Sequence, residues 1–198
     1  ITVGMKNLQK LYGSRYGFND SGKDGALHLK EVWAKLGSTG NLAWVEMTRE
    51  YLSDPNSQWN VVIWAWGSGV SDQTKTGFET YLNALNQLER DYPNITFVYW
   101  TGHLDGTGVS GNLNTRNDQI RAYVEANHKI LFDFADIESY DPDGNYFLNR
   151  KGSYDGSYDG GNWAEEWSAK HTDSELSGST YDEHTHVLNS NLKGRAFW

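Results

Sequence analysis

Apolar residues collect in three short runs, each stopping at a polar, glycine-bearing turn. Asn60 to Trp66 (NVVIWAW) precedes Gly67-Ser68-Gly69, Ile95 to Trp100 (ITFVYW) precedes Thr101-Gly102-His103-Leu104-Asp105-Gly106, and Lys129 to Asp136 (KILFDFAD) precedes Ile137 to Asp141. Consecutive β-branched and aromatic residues predict strands buried on both faces. Between the runs the period changes. Phe78, Tyr81, Leu82, Leu85, Leu88 and Tyr92 recur every three or four residues and line one helix face in 71–92, which Asp91-Tyr92-Pro93-Asn94 ends. Ile120, Tyr123 and Val124 make a shorter stripe in 112–127, ended by Asn127. Strand, helix, strand, helix, strand predicts a parallel sheet with right-handed crossovers, in which ligands bind beyond the carboxyl ends of the strands. Gly67–Gly69, Thr101–Asp105 and Asp136–Asp141 are therefore expected to meet at one crevice.

Weaker patterns flank this centre. Thr2 to Tyr12 predicts a helix that Thr2 can cap and Gly13 closes. Arg15 to Phe18 suggests a short edge strand. Ala26 to Leu36 and Asn41 to Leu52 read as two helices, with Asn41 as the N-cap of the second. Residues 139–161 hold too many turn formers for a regular element and form a long loop, of a kind that is functional, metal-ordered or disordered. Asn162 to Lys170 predicts a short helix carrying Trp163 and Trp167, and Asn189 to Trp198 a final one. The length fits a single domain over 1–198. A parallel α/β fold should open on a strand, whereas this chain opens on a helix. The expectation is a domain truncated at both ends, its first strand absent and supplied by a missing segment or another chain.

Composition narrows the partners. A net charge of -9 without a cluster of Lys and Arg excludes a nucleic-acid backbone. No stretch approaches the apolar length a membrane span needs. Cysteine is absent, which removes disulfide and thiolate chemistry. Nine Trp and twelve Tyr fit a ring-filled core first, and carbohydrate handling second.

Four groups of residues could carry chemistry. His103 and Asp105, at the end of the middle run, could line the crevice as a polar pair, or could merely bond their own loop. Asp182-Glu183-His184-Thr185-His186 could supply a general base oriented by an acid, could ligate a metal, or could be a solvated turn. Gly67 and Ser68 could offer backbone amides to an oxyanion, or could simply pack tightly. Asp141, Asp143 and Asn145, with Asp155 and Asp159 downstream, alternate as calcium ligands do, although the glycine position differs from an EF-hand. An Asx-rich turn without metal is the simpler reading.

Trp64-Ala65-Trp66-Gly67, Leu88 to Pro93 (LERDYP), Thr96 to His103 (TFVYWTGH), Asp133 to Gly144 (DFADIESYDPDG) and Leu188 to Trp198 (LNSNLKGRAFW) together resemble a group of secreted or surface bacterial and archaeal proteins related to the SGNH (GDSL-type) hydrolases. The resemblance spans most of the chain. It implies a flavodoxin-like, three-layer α/β fold and a serine esterase acting on a small-molecule or glycan ester, extracellular or at the cell surface. It places the nucleophile before Ile1, so the chain as it stands is expected to be inactive. It favours His184 as base with Asp182 or Glu183 as its orienter. Glu183 and His186 keep the superfamily's acid-to-base spacing as the other option, and Gly40 matches its oxyanion glycine. No cofactor is required by this chemistry, and calcium is the one candidate ion. A non-catalytic surface, glycan-binding or self-assembling protein on the same fold is the alternative.

Overall fold

The computed structural model describes residues 1–32 and 41–198. The chain divides into two compact units, residues 1–32 with 136–198, and residues 33–135. In chain order the elements are α1 (Thr2–Tyr12), β1 (Phe18–Asn19), β2 (Leu27–His28), α2 (Ala43–Ser53), β3 (Val61–Ile63), α3 (Lys75–Asp91), β4 (Thr96–Trp100), α4 (Asn112–Ala126), β5 (Ile130–Phe132), α5 (Phe134–Ser139), β6 (Ser157–Tyr158), β7 (Gly161–Asn162), α6 (Trp163–Lys170), β8 (Tyr181–Asp182), β9 (Thr185–His186) and α7 (Val187–Phe197).

In unit 33–135 the three apolar runs form one parallel sheet in the order β3-β4-β5, with Val62 opposite Phe97 and Val98 opposite Ile130. Helices flank it, so the chain is mixed α/β with parallel strands, as the alternating pattern predicts. Thr74 starts α3 by accepting the Gly77 amide on its hydroxyl at 3.0 Å. The predicted stripe of Phe78, Tyr81, Leu82, Leu85 and Leu88 is buried. Each such side chain contributes roughly 1.5–3 kcal/mol by leaving water. Phe97 and Tyr99 meet this stripe from β4, together with Trp44 and Val45 of α2 and Ile120 and Val124 of α4.

The expectation of strands buried on both faces is corrected. Val98 and Trp100, on the opposite face of β4, are only half-buried, and Trp100 is covered by the rings of Phe132 and Phe134 at centroid distances of 4.9 and 5.2 Å. β3 and β5 are edges of this sheet, so Val61 and Ile130 at their starts stay 47% and 53% exposed. Helix α2 begins at Ala43, after the expected Asn41. Asn41 still serves the turn, because its Oδ1 accepts the Ala43 amide at 3.0 Å.

In the other unit, α1 and α7 pack backbone against backbone. A Cβ on Gly4 would stand 1.6 Å from the Ser190 carbonyl oxygen, and one on Gly194 would stand 2.6 Å from the Gly4 carbonyl carbon. Only glycine permits that approach. A second core joins Phe147, Trp163, Ala164, Trp167 and Leu188. Helix α6 matches its prediction and is capped by Asn162, whose Oδ1 accepts the amides of Ala164 and Glu165.

Three expectations fail in this unit. Gly13–Tyr16 is a 3-10 turn, not part of an edge strand, and the strand lies at Phe18–Asn19. The helix expected from Ala26 is replaced by β2, parallel to β1, because the Leu27 amide bonds the Gly17 carbonyl and the Leu29 amide bonds that of Asn19. The last four residues of that predicted helix, 33–36, lie outside the described residues. Finally, the loop at 139–161 contains a 3-10 turn at Leu148–Arg150 and the start of the β6-β7 hairpin. α7 also begins two residues before Asn189, at Val187.

Candidate functional site

The carboxyl edge of the sheet in unit 33–135 draws two of the predicted turns together. After β3, the Gly67–Val70 turn starts at Gly67 with φ 52°, and nothing lies within 4 Å of a Cβ added there. Glycine is used at this point for its left-handed backbone and not for close packing. The Gly69 amide is occupied by the Trp66 carbonyl at 3.1 Å. Of Ser68 only the backbone is described, and Gly40 lies outside the described residues.

After β4, half-buried Asp105 organises the loop. Its Oδ2 accepts the Ser71 hydroxyl at 3.0 Å, which ties the β4 turn to the segment after β3. Its Oδ1 accepts the amide and hydroxyl of Thr107. His103 is half-buried, with Nδ1 3.2 Å from the Leu104 carbonyl. Asn117 of α4, completely buried, clasps Gly102 by both groups: its Oδ1 accepts the Gly102 amide at 2.8 Å and its Nδ2 donates to the Gly102 carbonyl at 3.0 Å. A full pair of bonds on a buried amide fixes the place where β4 turns into its loop.

The β5 end is tied in the same way. Thr101 donates to Asp133 at 3.0 Å and accepts the Ala135 amide at 2.9 Å. Arg121 grips Asp133 with two bonds of 2.7 and 2.9 Å and reaches Asp118 at 2.8 Å. Burial alone would lower the Arg121 pKa, but the bonds and charge of Asp133, then Asp118, leave it raised. The group is a permanent cation that ties α4 to the end of β5.

The remaining predicted residues lie in the other unit, at its β8-β9 hairpin and in the loop after α5. Glu183 and His184 form the hairpin tip, both exposed, with Glu183 at φ 54°. No described residue hydrogen-bonds the His184 ring. Asp182, expected as its orienter, instead accepts the Asn7 side chain at 3.0 Å. Strand pairing explains the difference, since Asp182 faces Thr185 across the ladder and not His184.

His186 is the buried histidine of the motif, 6% exposed. Its Nδ1 lies 2.5 Å from the Ser179 carbonyl, so that nitrogen carries the hydrogen, and its Nε2 faces Glu165 at 3.4 Å. The carboxylate beside it is therefore Glu165 and not Glu183, because the hairpin turns Glu183 outward. With both nitrogens engaged, the His186 ring braces the hairpin.

Asp141 spends its lone pairs within its own loop. Oδ1 accepts the amides of Asp143 and Asn145, and Oδ2 accepts the Asn145 side chain. This is an Asx turn. Asp143 lies 3.9 Å from His171. Among the described residues no three His, Cys, Asp or Glu side chains gather as metal ligands.

Sequence reasoning missed several of the organising residues. Arg116 and Asn117 sit on the buried side of α4, between Leu113 and Ile120. Polar residues inside an apolar stripe are the signal that could have found them. Glu138 and Lys193, both buried, pair at 2.6 Å, and Lys193 also donates to the Tyr154 carbonyl at 3.2 Å, holding the 139–161 loop to α7. No family model, no curated protein and no solved structure matches the chain.

Proposed function

We propose that the chain is an SGNH-type ester hydrolase domain with a flavodoxin-like arrangement, acting on small-molecule or glycan esters, acylated carbohydrate foremost, outside the cell or at its surface. The observation that supports it is the parallel order β3-β4-β5 with polar turns at the carboxyl edge, since the resembling segments Trp64–Gly67 and Asp133–Gly144 follow β3 and β5, and Thr96–His103 spans β4 and the turn after it. A serine hydroxyl attacks the ester carbonyl, His184 takes its proton and returns it to the leaving alcohol, and water then releases the acid. The exposed His184 ring is open to this work. No serine of the chain is assigned as nucleophile.

Hydrolysis of p-nitrophenyl acetate by the protein and by His184→Ala tests this. A base contributes at least about a hundredfold, so the variant should lose that much kcat/KM while keeping its circular dichroism spectrum. Turnover that the variant retains in full refutes the reading.

A second reading, a non-catalytic glycan-binding or assembly surface, is favoured by one pair. Tyr140 and Tyr146 are each 38% exposed, and their ring centroids lie 5.0 Å apart beside the Asp141 turn. Aromatic faces of this kind stack on sugars. Oligosaccharide binding without hydrolysis, abolished in Tyr140→Ala, would establish it.

A further inference from the structure

Two stretches of the chain carry the Asn-x-Ser/Thr pattern, Asn19-Asp20-Ser21 and Asn94-Ile95-Thr96. The pattern marks acceptors of N-linked glycans, a bulky and solubilising group that needs an outward, unencumbered carboxamide. The fold treats the two asparagines oppositely. Asn19 closes a turn: its Nδ2 donates to the Lys23 carbonyl at 3.1 Å, and its Oδ1 accepts the amides of Ser21 and Lys23 and the Ser21 hydroxyl. Both polar side chains of that stretch are thus spent on holding the turn.

Asn94 stands at a tip. Pro93, whose ring fixes φ, and Asn94 are the two central residues of a turn in which the Ile95 amide donates to the Tyr92 carbonyl at 3.0 Å, and β4 begins at Thr96. Asn94 and Thr96 are both exposed, and neither side chain has a hydrogen-bond partner among the described residues. Thr96 is tied in through its backbone, its amide donating to the Asn60 carbonyl at 2.8 Å, which leaves its side chain free.

The surface around this tip is apolar. At the amino edge of the sheet, Pro93, Ile95, Phe97 and Ile130 line an open depression of about 410 Å³. Val61, paired with Thr96 across the ladder, is 47% exposed, and Ile130 is 53% exposed. Exposed sheet edges invite pairing with other chains, and proteins blunt them with charges or prolines. The strands β3 (VVI) and β5 (ILF) hold neither. A glycan on Asn94 would rise from the rim of this region and cover it. We propose that Asn94 is the N-glycan acceptor of the folded protein, that its glycan shields the amino edge of the sheet, and that Asn19 is left unmodified. In the transfer, Nδ2 of Asn94 attacks C1 of the first sugar of a lipid-diphosphate oligosaccharide. The N–C bond forms, the C1–O bond breaks, the lipid diphosphate leaves with the electron pair, and the amide loses one proton. The assignment rests on the placement outside the cell given above and not on the ester chemistry.

Directing the protein into the secretory route of yeast tests it. Its peptides are mapped by mass before and after treatment with a peptide-N-glycosidase, which leaves an aspartate wherever a glycan stood, and chain retained inside the cell is mapped in the same way. Position 94 should be converted and position 19 should not. Asn94→Gln, and Thr96→Ala, which keeps the asparagine and removes the pattern, should both fold and lack the glycan. On heating, both variants should scatter light at a lower temperature than the glycosylated protein, because the apolar edge is bared. An unmodified Asn94, a glycan on Asn19, or equal scattering with and without the glycan overturns the proposal. Absence of the glycan leaves the ester reading as it was, and turnover retained by His184→Ala leaves this site as it was, so the two fail separately.

Discussion

Replacing Gly4 by alanine isolates the contact between α1 and α7. The added methyl would lie 1.6 Å from the Ser190 carbonyl oxygen and 2.4 Å from its carbon, and both are backbone atoms that cannot swing aside. The helices must separate by more than about 1.5 Å to restore van der Waals distance. Alanine brings a gain of about 1 kcal/mol in helix propensity over glycine. Overpacking of this kind costs about 1–3 kcal/mol and sometimes more. Here the cost falls at the high end, because α7 also carries fully buried Leu188 and the Lys193 that pairs with Glu138, and both move with it. We expect a net loss of about 2–3 kcal/mol, a fall of roughly 5–10 °C in Tm. The assay is a thermal melt by far-ultraviolet circular dichroism, with the midpoint and slope of urea unfolding alongside. Lys6→Ala, an exposed change on the same helix, should stay within about 0.5 kcal/mol. If Gly4→Ala melts at or above the temperature of the unaltered protein, propensity governs this helix and the close crossing carries no energetic weight.

Two further outcomes follow from unit 33–135. Asn117→Ala strands the buried amide and carbonyl of Gly102, each at about 1–3 kcal/mol, so urea unfolding should show a loss of about 2–5 kcal/mol; a smaller loss would mean that water replaces both bonds. Tyr81 and Tyr99 have raised pKa values, both chiefly through burial and Tyr99 also through the charge of Glu89. A raised folded-state pKa means that the fold favours the neutral phenol. Stability is therefore fully present below the unfolded value of about 10 and is lost as pH climbs toward the folded values. Denaturation measured from about pH 8 to 11.5 should show constant stability and then a decline that Tyr81→Phe lessens, and a flat profile throughout would contradict the assigned burial effect.

The sheet was legible because its strands are runs of β-branched and aromatic side chains, and α3 because one stripe carries five buried residues. The pairing of β1 with β2 was not. Its strands are two residues each, and what selects them is the pair of ladder bonds to Gly17 and Asn19 together with the Asn19 side chain, which accepts the Ser21 and Lys23 amides. No hydrophobic period announces such a unit. Gly4 and Gly194 read as weak points of helices, yet they are where the backbones meet, and that fact depends on a partner helix at the other end of the chain.

The candidate site divides in the same way. The chemistry of Asp182 to His186 could be read from residue types, but which histidine turns inward is set by the hairpin register, and its carboxylate comes from Glu165 on another element. Around β4 the error was to weigh only loop residues. Arg116 and Asn117 occupy places in α4 where the stripe of Leu113, Ile120 and Val124 calls for apolar side chains. Burying a polar group there is unfavourable unless a partner meets it. Asn117 has its partner in Gly102, whereas Nε and Nη1 of Arg116 have none among the described residues. The same break in the pattern therefore marks two different things, a clamp that completes the fold and a guanidinium whose Nε and Nη1 the described residues leave unbonded.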